Sequence, residues 1–377
     1  MTSEHSVQNS KKSRRLDWID QTKGLAILCI VIFHFFQNYP KDLYLITFLD
    51  QEGAKIALAA VDLFFVIAGF TTSYVMILKL EKSNLSLTSI NFKSWLISRL
   101  MRIYPAYLLA VFCSLLLFYF FQLLPPFNLN LILSILGLAD YHAQSINPGF
   151  WFFRVLLQAY LIMPLILPIA IKNPVMILLL GIFGGVVFKI IGLSLPQTSW
   201  LFPYYSQNNS IGSYWFQLCL GLYWGNLFYY KNKFVKVDYI VSTVFFLVGS
   251  SLFILLPFWG INATYKLGVD ICLTPLLFLI NYLLFTILNE KINLTKIISW
   301  ILAGLSILGN YSYQIYLIHQ PLYFVVFSSL TKSLSLDGYL KVFVIFVISI
   351  ILLIVYVFGF THLEKWVQKK IKFMLPN

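Results

Sequence analysis

The stretch from Leu16 to His34, LDWIDQTKGLAILCIVIFH, decides how this chain is read. It opens with Asp17, Asp20 and Lys23, turns apolar at Gly24, and closes its apolar run on His34. As a helix rising about 1.5 Å per residue, it carries His34 roughly 15 Å beyond Gly24. In a hydrocarbon core about 30 Å thick, that imidazole sits near the middle. Lys23 and His34 are about three helical turns apart, so they share a face, and Asp20 falls near the same stripe. Lipid contact gives no reason to align a cation at the membrane edge with an imidazole inside it. This stretch is therefore the expected centre of the chemistry.

The rest of the sequence agrees with a membrane setting. Of 377 residues, 59% are hydrophobic and 11% charged, far from the composition of soluble domains. Apolar stretches of near-spanning length recur from end to end, and only helices or closed barrels satisfy their backbone in lipid. The expected fold is all-α: a polytopic integral membrane protein of about ten transmembrane helices. They lie near 24–39, 56–78, 103–124, 149–171, 174–193, 211–230, 239–258, 267–288, 312–330 and 339–360. Residues 1–23 read as a cytosolic basic segment, 24–360 as one transmembrane domain and 361–377 as a cytosolic basic tail. The run 129–138 is too short to span and reads as a re-entrant or interfacial piece. No small-x-small cleavage site follows the first apolar run, so it reads as a retained span.

Charge placement orients the chain. With the N-terminus inside, twenty of the 27 Lys and Arg fall on the cytosolic side, and Lys41, Lys55, Lys266, Lys332 and Lys341 lie outside. The topology is N-in and C-in. The net charge of +13 is spread over these loops and forms no basic stripe, which argues against nucleic acid as a partner. The four cysteines stand singly in apolar segments, without metal spacing or a reason to pair.

Ionisable residues inside apolar spans are costly and mark function by default. His34 suits a general base acting on a hydroxyl. Asp62, in VDLFFVIAGF, reads either as a carboxylate orienting a histidine or arginine, or as a span-edge residue paired with Lys55. Arg154, in WFFRVLLQAYLIMP, either binds an anionic group, pairs with Asp62 or snorkels to the outer interface. Gln158 lies one turn further along the same segment. Arg99 and Arg102, three apart in SRLMRIYPAY, project from one helix side, where they would clamp phosphates or contact lipid headgroups. His319, in NYSYQIYLIHQPL, stands beside the helix irregularity at Pro321 and would line a cavity.

Taken together, these segments resemble the membrane-bound acyltransferase 3 family, the integral-membrane O-acyltransferases of bacterial surface polysaccharides. The opening stretch, VDLFFVIAGF, RLMRIYPAY, WFFRVLLQAYLIMP and YSYQIYLIHQPL resemble family signatures in the family's order across nearly the whole chain. The WIDxxKG opening points to a sub-branch with members implicated in exopolysaccharide acylation or export. Lys23, Ala68 and Leu156 stand where the family more often has arginine, serine and glutamate.

The resemblance implies transfer of an acyl group, most often acetyl, from cytosolic acyl-CoA to a hydroxyl of a saccharide or lipid-linked glycan, in the inner (plasma) membrane. It assigns catalysis to His34, either as the base that deprotonates the acceptor hydroxyl or as a covalent relay that takes the acyl group itself, with Asp62 orienting it, and the CoA phosphates to Arg99, Arg102, Lys23 and Arg15. Arg154, Gln158 and His319 would address the acceptor. No metal is implied, and polysaccharide-assembly proteins are candidate partners. Two rivals use the same residues differently: a transporter or flippase of a lipid-linked saccharide or small anion, and a non-catalytic subunit of an assembly complex.

Overall fold

A computed structural model describes residues 15–87, 90–140, 142–206, 209–255, 270–290 and 296–374. Among these, every regular element is helical. The helices used below are α1 (Asp17–Asn38), α2 (Tyr44–Lys82), α3 (Phe92–Phe120) and the short α4 (Leu129–Ile135). Next come α5 (Trp151–Lys172), α6 (Pro174–Ser194), α7 (Trp215–Lys231) and α8 (Lys236–Leu255). The last are α9 (Asp270–Glu290), α10 (Lys296–Asn310), α11 (Ser312–Ser333) and α12 (Gly338–Met374).

Seven of these helices are long and apolar enough to cross a membrane, and α10 with α11, bent by 79° at their junction, makes an eighth if the pair is one span. The chain is a multi-pass membrane protein. Helices α7 and α8 occupy the places of the two remaining expected spans. Helix α4 has seven residues, about 10 Å of rise, too short to cross. It is docked on α3, where Tyr104 donates to Leu136 O at 2.8 Å and Tyr107 donates to Ser134 O.

Local chemistry sets several boundaries. Asn173 caps α6 by accepting from Met176 N at 3.1 Å, and Pro174 takes the first helical position, where no amide is needed. Helices α5 and α6 are thus separated by one residue. Asn91 and Asn128 cap α3 and α4 in the same way. Prolines inside α3, α5, α9 and α11 remove backbone donors within helices that neighbouring segments support.

Helix α1 runs through the middle of the bundle. Its Trp18 is buried in an aromatic cluster, with Tyr282 at 5.0 Å and Phe70 and Phe278 each at 5.5 Å between ring centroids. The tryptophan of the opening stretch is a packing anchor. Helices α2 and α7 meet through Gly69 and the pair Gly221 and Gly225, whose missing side chains let each backbone touch the other.

Two elements differ from the sequence expectation. The ten spans leave 289–311 between two of them, yet 296–310 form α10, packed against α1. Its apolar stripe is shorter than a span, so hydropathy over a spanning window passes over it. The basic tail expected over 361–377 continues α12 as helix to Met374 and brings Glu364, Lys365 and Gln368 to the cavity described next.

Candidate active site

One end of the bundle opens into a cavity of about 540 Å³. Its mouth is charged. Arg15 comes from just before α1, Lys23 from its second turn, Arg99 and Arg102 from α3, and Lys365 from α12. Spacing alone placed the arginine pair on one helix side; the fold adds Arg15 and Lys23 beside it. Asp20 balances two of these cations: Arg15 Nε donates to Oδ2 at 2.7 Å and Lys23 Nζ to Oδ1 at 3.2 Å. That hydrogen bond and the Asp20 charge raise the pKa of Arg15 further, so it remains cationic at any ordinary pH. Arg15 also donates to Asn310 at the bend between α10 and α11. Arg99 lies over the Trp95 ring at 5.5 Å.

A second carboxylate stands at this mouth. Glu364 accepts from Gln314 Nε2 at 3.0 Å and from Gln368 Nε2 at 2.8 Å. None of these three was singled out from the sequence. Gln314 lies within the YSYQIYLIHQPL signature, whereas Glu364 lies in the stretch read as a tail, where only its position in the fold gives it meaning.

Deeper in, the cavity turns apolar, with Ile30, Val61, Phe64, Ala68, Phe152 and Leu156 as walls. Tyr316 lies at this depth and donates to the carbonyl of Gly149. Ala68 and Leu156 therefore leave the inner walls without the hydroxyl and carboxylate more usual in the family the sequence resembles.

Past this depth lie the two membrane histidines. His34 Nδ1 is 2.7 Å from His319 Nε2, with ring planes inclined by 16°. The other nitrogen of His319, Nδ1, lies 3.0 Å from Ile315 O and 2.9 Å from Tyr316 O. His319 is fully buried and, like His34, is absent from the linings of this cavity and of the second one described next, so the cavity-lining place expected of His319 is not the one it takes. The two residues are 285 positions apart in sequence and meet because α1 packs on α11.

A second cavity, of about 460 Å³, opens beyond the dyad and is lined by Asn38, Gln144, Ser145, Phe324 and Phe327 among others. The register is informative. Ile30, His34 and Asn38 succeed one another by single turns on α1, with Ile30 in the charged-mouth cavity and Asn38 in the second. On α11, Tyr316 lines the first cavity and Phe324 the second, with His319 between. Asn38 donates to His34 O at 2.7 Å. Gln144 Nε2 donates to Ala139 O at 2.8 Å, and its Oε1 has no donor among the described residues. Between the cavities, Gly149 N donates to Gln320 Oε1 at 2.9 Å and to Asn147 Oδ1 at 2.8 Å.

The remaining expected site residues lie elsewhere. Asp62 is buried and accepts from Gln217 Nε2 at 3.0 Å and Thr274 Oγ1 at 3.1 Å, facing α7 and α9. The group that meets the His34 ring is His319, so the orienting position expected for Asp62 is held by another residue. Lys55, the alternative partner for Asp62, bonds Glu52 at 2.7 Å. Gln158 Oε1 accepts from Ile211 N at 2.9 Å and ties down the turn before α7. Arg154 stacks over Tyr204 at 5.3 Å, with Nη1 buried and without a hydrogen-bond partner among the described residues.

A family described as "Acyltransferase domain" matches residues 16–361. The chain belongs to this acyltransferase family. The match runs from the residue before α1 almost to the Glu364 region, so it takes in both histidines and the arginine pair. No curated protein and no solved structure matches the acyltransferase.

Proposed function

We propose that the protein is an O-acyltransferase of the inner (plasma) membrane of a bacterial envelope, moving an acyl group, most simply acetyl, from acyl-CoA to a hydroxyl of a saccharide or lipid-linked glycan. The observation that carries this reading is a histidine dyad standing between a cation-rimmed cavity and a second cavity at the opposite end of α1. CoA is a polyanion with a long, weakly polar arm. Arg99, Arg102, Lys23 and Arg15 supply cations for its phosphates, the guanidinium groups by paired hydrogen bonds. The apolar walls from Ile67 to Leu156 suit the arm and the acyl group.

The acceptor approaches from the second cavity. His34 removes the hydroxyl proton as the oxygen attacks the thioester carbon. The tetrahedral intermediate expels CoA as thiolate, and the same imidazolium returns the proton to sulfur. The C–S bond breaks, the C–O bond forms, and His34 ends neutral. Topology supports the assignment of sides: with N-terminus and C-terminus inside, the charged mouth faces cytosolic acyl-CoA and the second cavity faces out. The sub-branch suggested by the WIDxxKG opening supports a surface-polysaccharide acceptor, with assembly proteins as candidate partners.

The test is acyl transfer by purified protein in lipid nanodiscs supplied with radiolabelled acetyl-CoA and envelope glycan from the source cells. Label in the glycan supports the reading. Absence of both label transfer and CoA release, with correctly folded protein, overturns it in favour of transport.

A further inference from the structure

We propose that His319 is the positioning residue that fixes the tautomer of His34, so that Nε2 of His34 is the nitrogen that takes the acceptor proton. The inference rests on the acyl-transfer reading of His34 and adds the residue that prepares it.

Donors and acceptors alone fix the tautomers of the two rings. His319 Nδ1 lies 3.0 Å from Ile315 O and 2.9 Å from Tyr316 O. Carbonyl oxygens only accept, so Nδ1 must carry the hydrogen. In the neutral ring the other nitrogen, Nε2, is then a bare lone pair. That lone pair sits 2.7 Å from His34 Nδ1. Two lone pairs at that distance would repel, so His34 Nδ1 donates. A neutral imidazole has one N–H, and Nε2 of His34 is left as the free base.

The device has the form of a carboxylate–histidine pair with one difference. A buried carboxylate both fixes the tautomer and stabilises imidazolium by its charge. His319 is neutral, so it fixes the tautomer and accepts a hydrogen bond without bringing a fixed anion into the membrane interior. A lone buried charge there is costly. The anchoring carbonyls belong to α11 itself, three and four residues before His319, so the ring is held by its own helix. When His34 takes the acceptor proton at Nε2, its Nδ1–H remains hydrogen-bonded to His319, and no other proton need move.

The experiment combines spectroscopy with kinetics on the full-length protein in nanodiscs. Ring ¹⁵N resonances of histidine-labelled protein are assigned by their loss in His34→Asn and His319→Gln. The expected result at neutral pH is a protonated Nδ1 and an unprotonated Nε2 on His34, with a protonated Nδ1 on His319. A protonated Nε2 on His34 overturns the proposal, and this reading needs no variant activity.

Kinetically, loss of tautomer control with geometry intact lowers kcat by about 10⁴ in serine-protease triads. His319→Leu should lower kcat for acyl transfer by roughly 10²–10³-fold, within the range of general-base effects, and leave the donor KM nearly unchanged. His319→Gln, whose amide oxygen can accept from His34 Nδ1, should recover much of that loss. An unchanged kcat in His319→Leu, or equal losses in both variants with the donor KM also raised, contradicts the role. If the wild type transfers no acyl group but shows the expected tautomer, the enzyme reading fails and the tautomer assignment stands.

Discussion

Gly24 of α1 lies against the backbone of Leu305 in α10, so close that a Cβ on Gly24 would collide with the Leu305 carbonyl; Gly309 of α10 meets the carbonyl of Asp20 in the same way. The glycine that follows Lys23 in the opening stretch is therefore a helix-contact residue. It seats α10 against α1 at the rim of the charged cavity. Gly24→Ala should push α10 away, lower thermal stability in detergent by about 1–3 kcal/mol, and weaken CoA binding through the displaced Asn310. Gly304→Ala on α10, where no atom of the described residues comes within 4 Å of the added carbon, is the control and should be neutral.

Arg99 and Arg102 separate an enzyme that uses CoA from a transporter. Arg102→Ala should raise the KM for acyl-CoA roughly 10–100-fold and leave kcat at saturating donor within a few-fold, the pattern of lost uniform binding. Initial rates over a donor titration check this. A transporter would show flux indifferent to the substitution at normal expression.

Asp20 accepts from both Arg15 and Lys23 at the cavity mouth and so competes with an anionic donor for them. Asp20→Asn should bind CoA more tightly, by about 5-fold at low salt, with the gain fading as salt shortens the Debye length. Calorimetric titration at two ionic strengths reads this directly. Stability should fall as well, because Asp20 and Lys23 are largely buried and the substitution takes the carboxylate away from the Lys23 cation.

The two cavities open at opposite ends of α1, which makes sidedness measurable. In sealed proteoliposomes of known orientation, a membrane-impermeant maleimide should label Ser145→Cys from one face and Lys365→Cys from the other. Protection of Lys365→Cys by CoA, and of Ser145→Cys by glycan, would assign the cavities to donor and acceptor.

How far the sequence led depends on the kind of contact. The helical, membrane-spanning character was legible because hydropathy is a local property, and α1, α2, α3, α5 and α6 lie where their apolar runs are. The arginine pair was legible because three-residue spacing fixes a shared side. The partner of His34 was not, since nothing in the run around His34 points to a residue 285 positions away. Asp62 looked like an orienting carboxylate because a charge in an apolar run demands a partner, but sequence does not say which, and Gln217 and Thr274 supply it. Helix α10 escaped because it is amphipathic and shorter than a span. Glu364 escaped because a basic tail hides its one inward-facing carboxylate.

Compartmented acyl transfer decides whether donor and acceptor meet at His34 from opposite faces. Proteoliposomes are prepared with radiolabelled acetyl-CoA on the side of the charged mouth and envelope glycan on the other, and compared with vesicles carrying both on one side. Label should reach the glycan only across the membrane, and should be lost in His34→Ala with CoA binding retained. Equal transfer with donor and acceptor on the same side, or full transfer by His34→Ala, would contradict the proposed reaction.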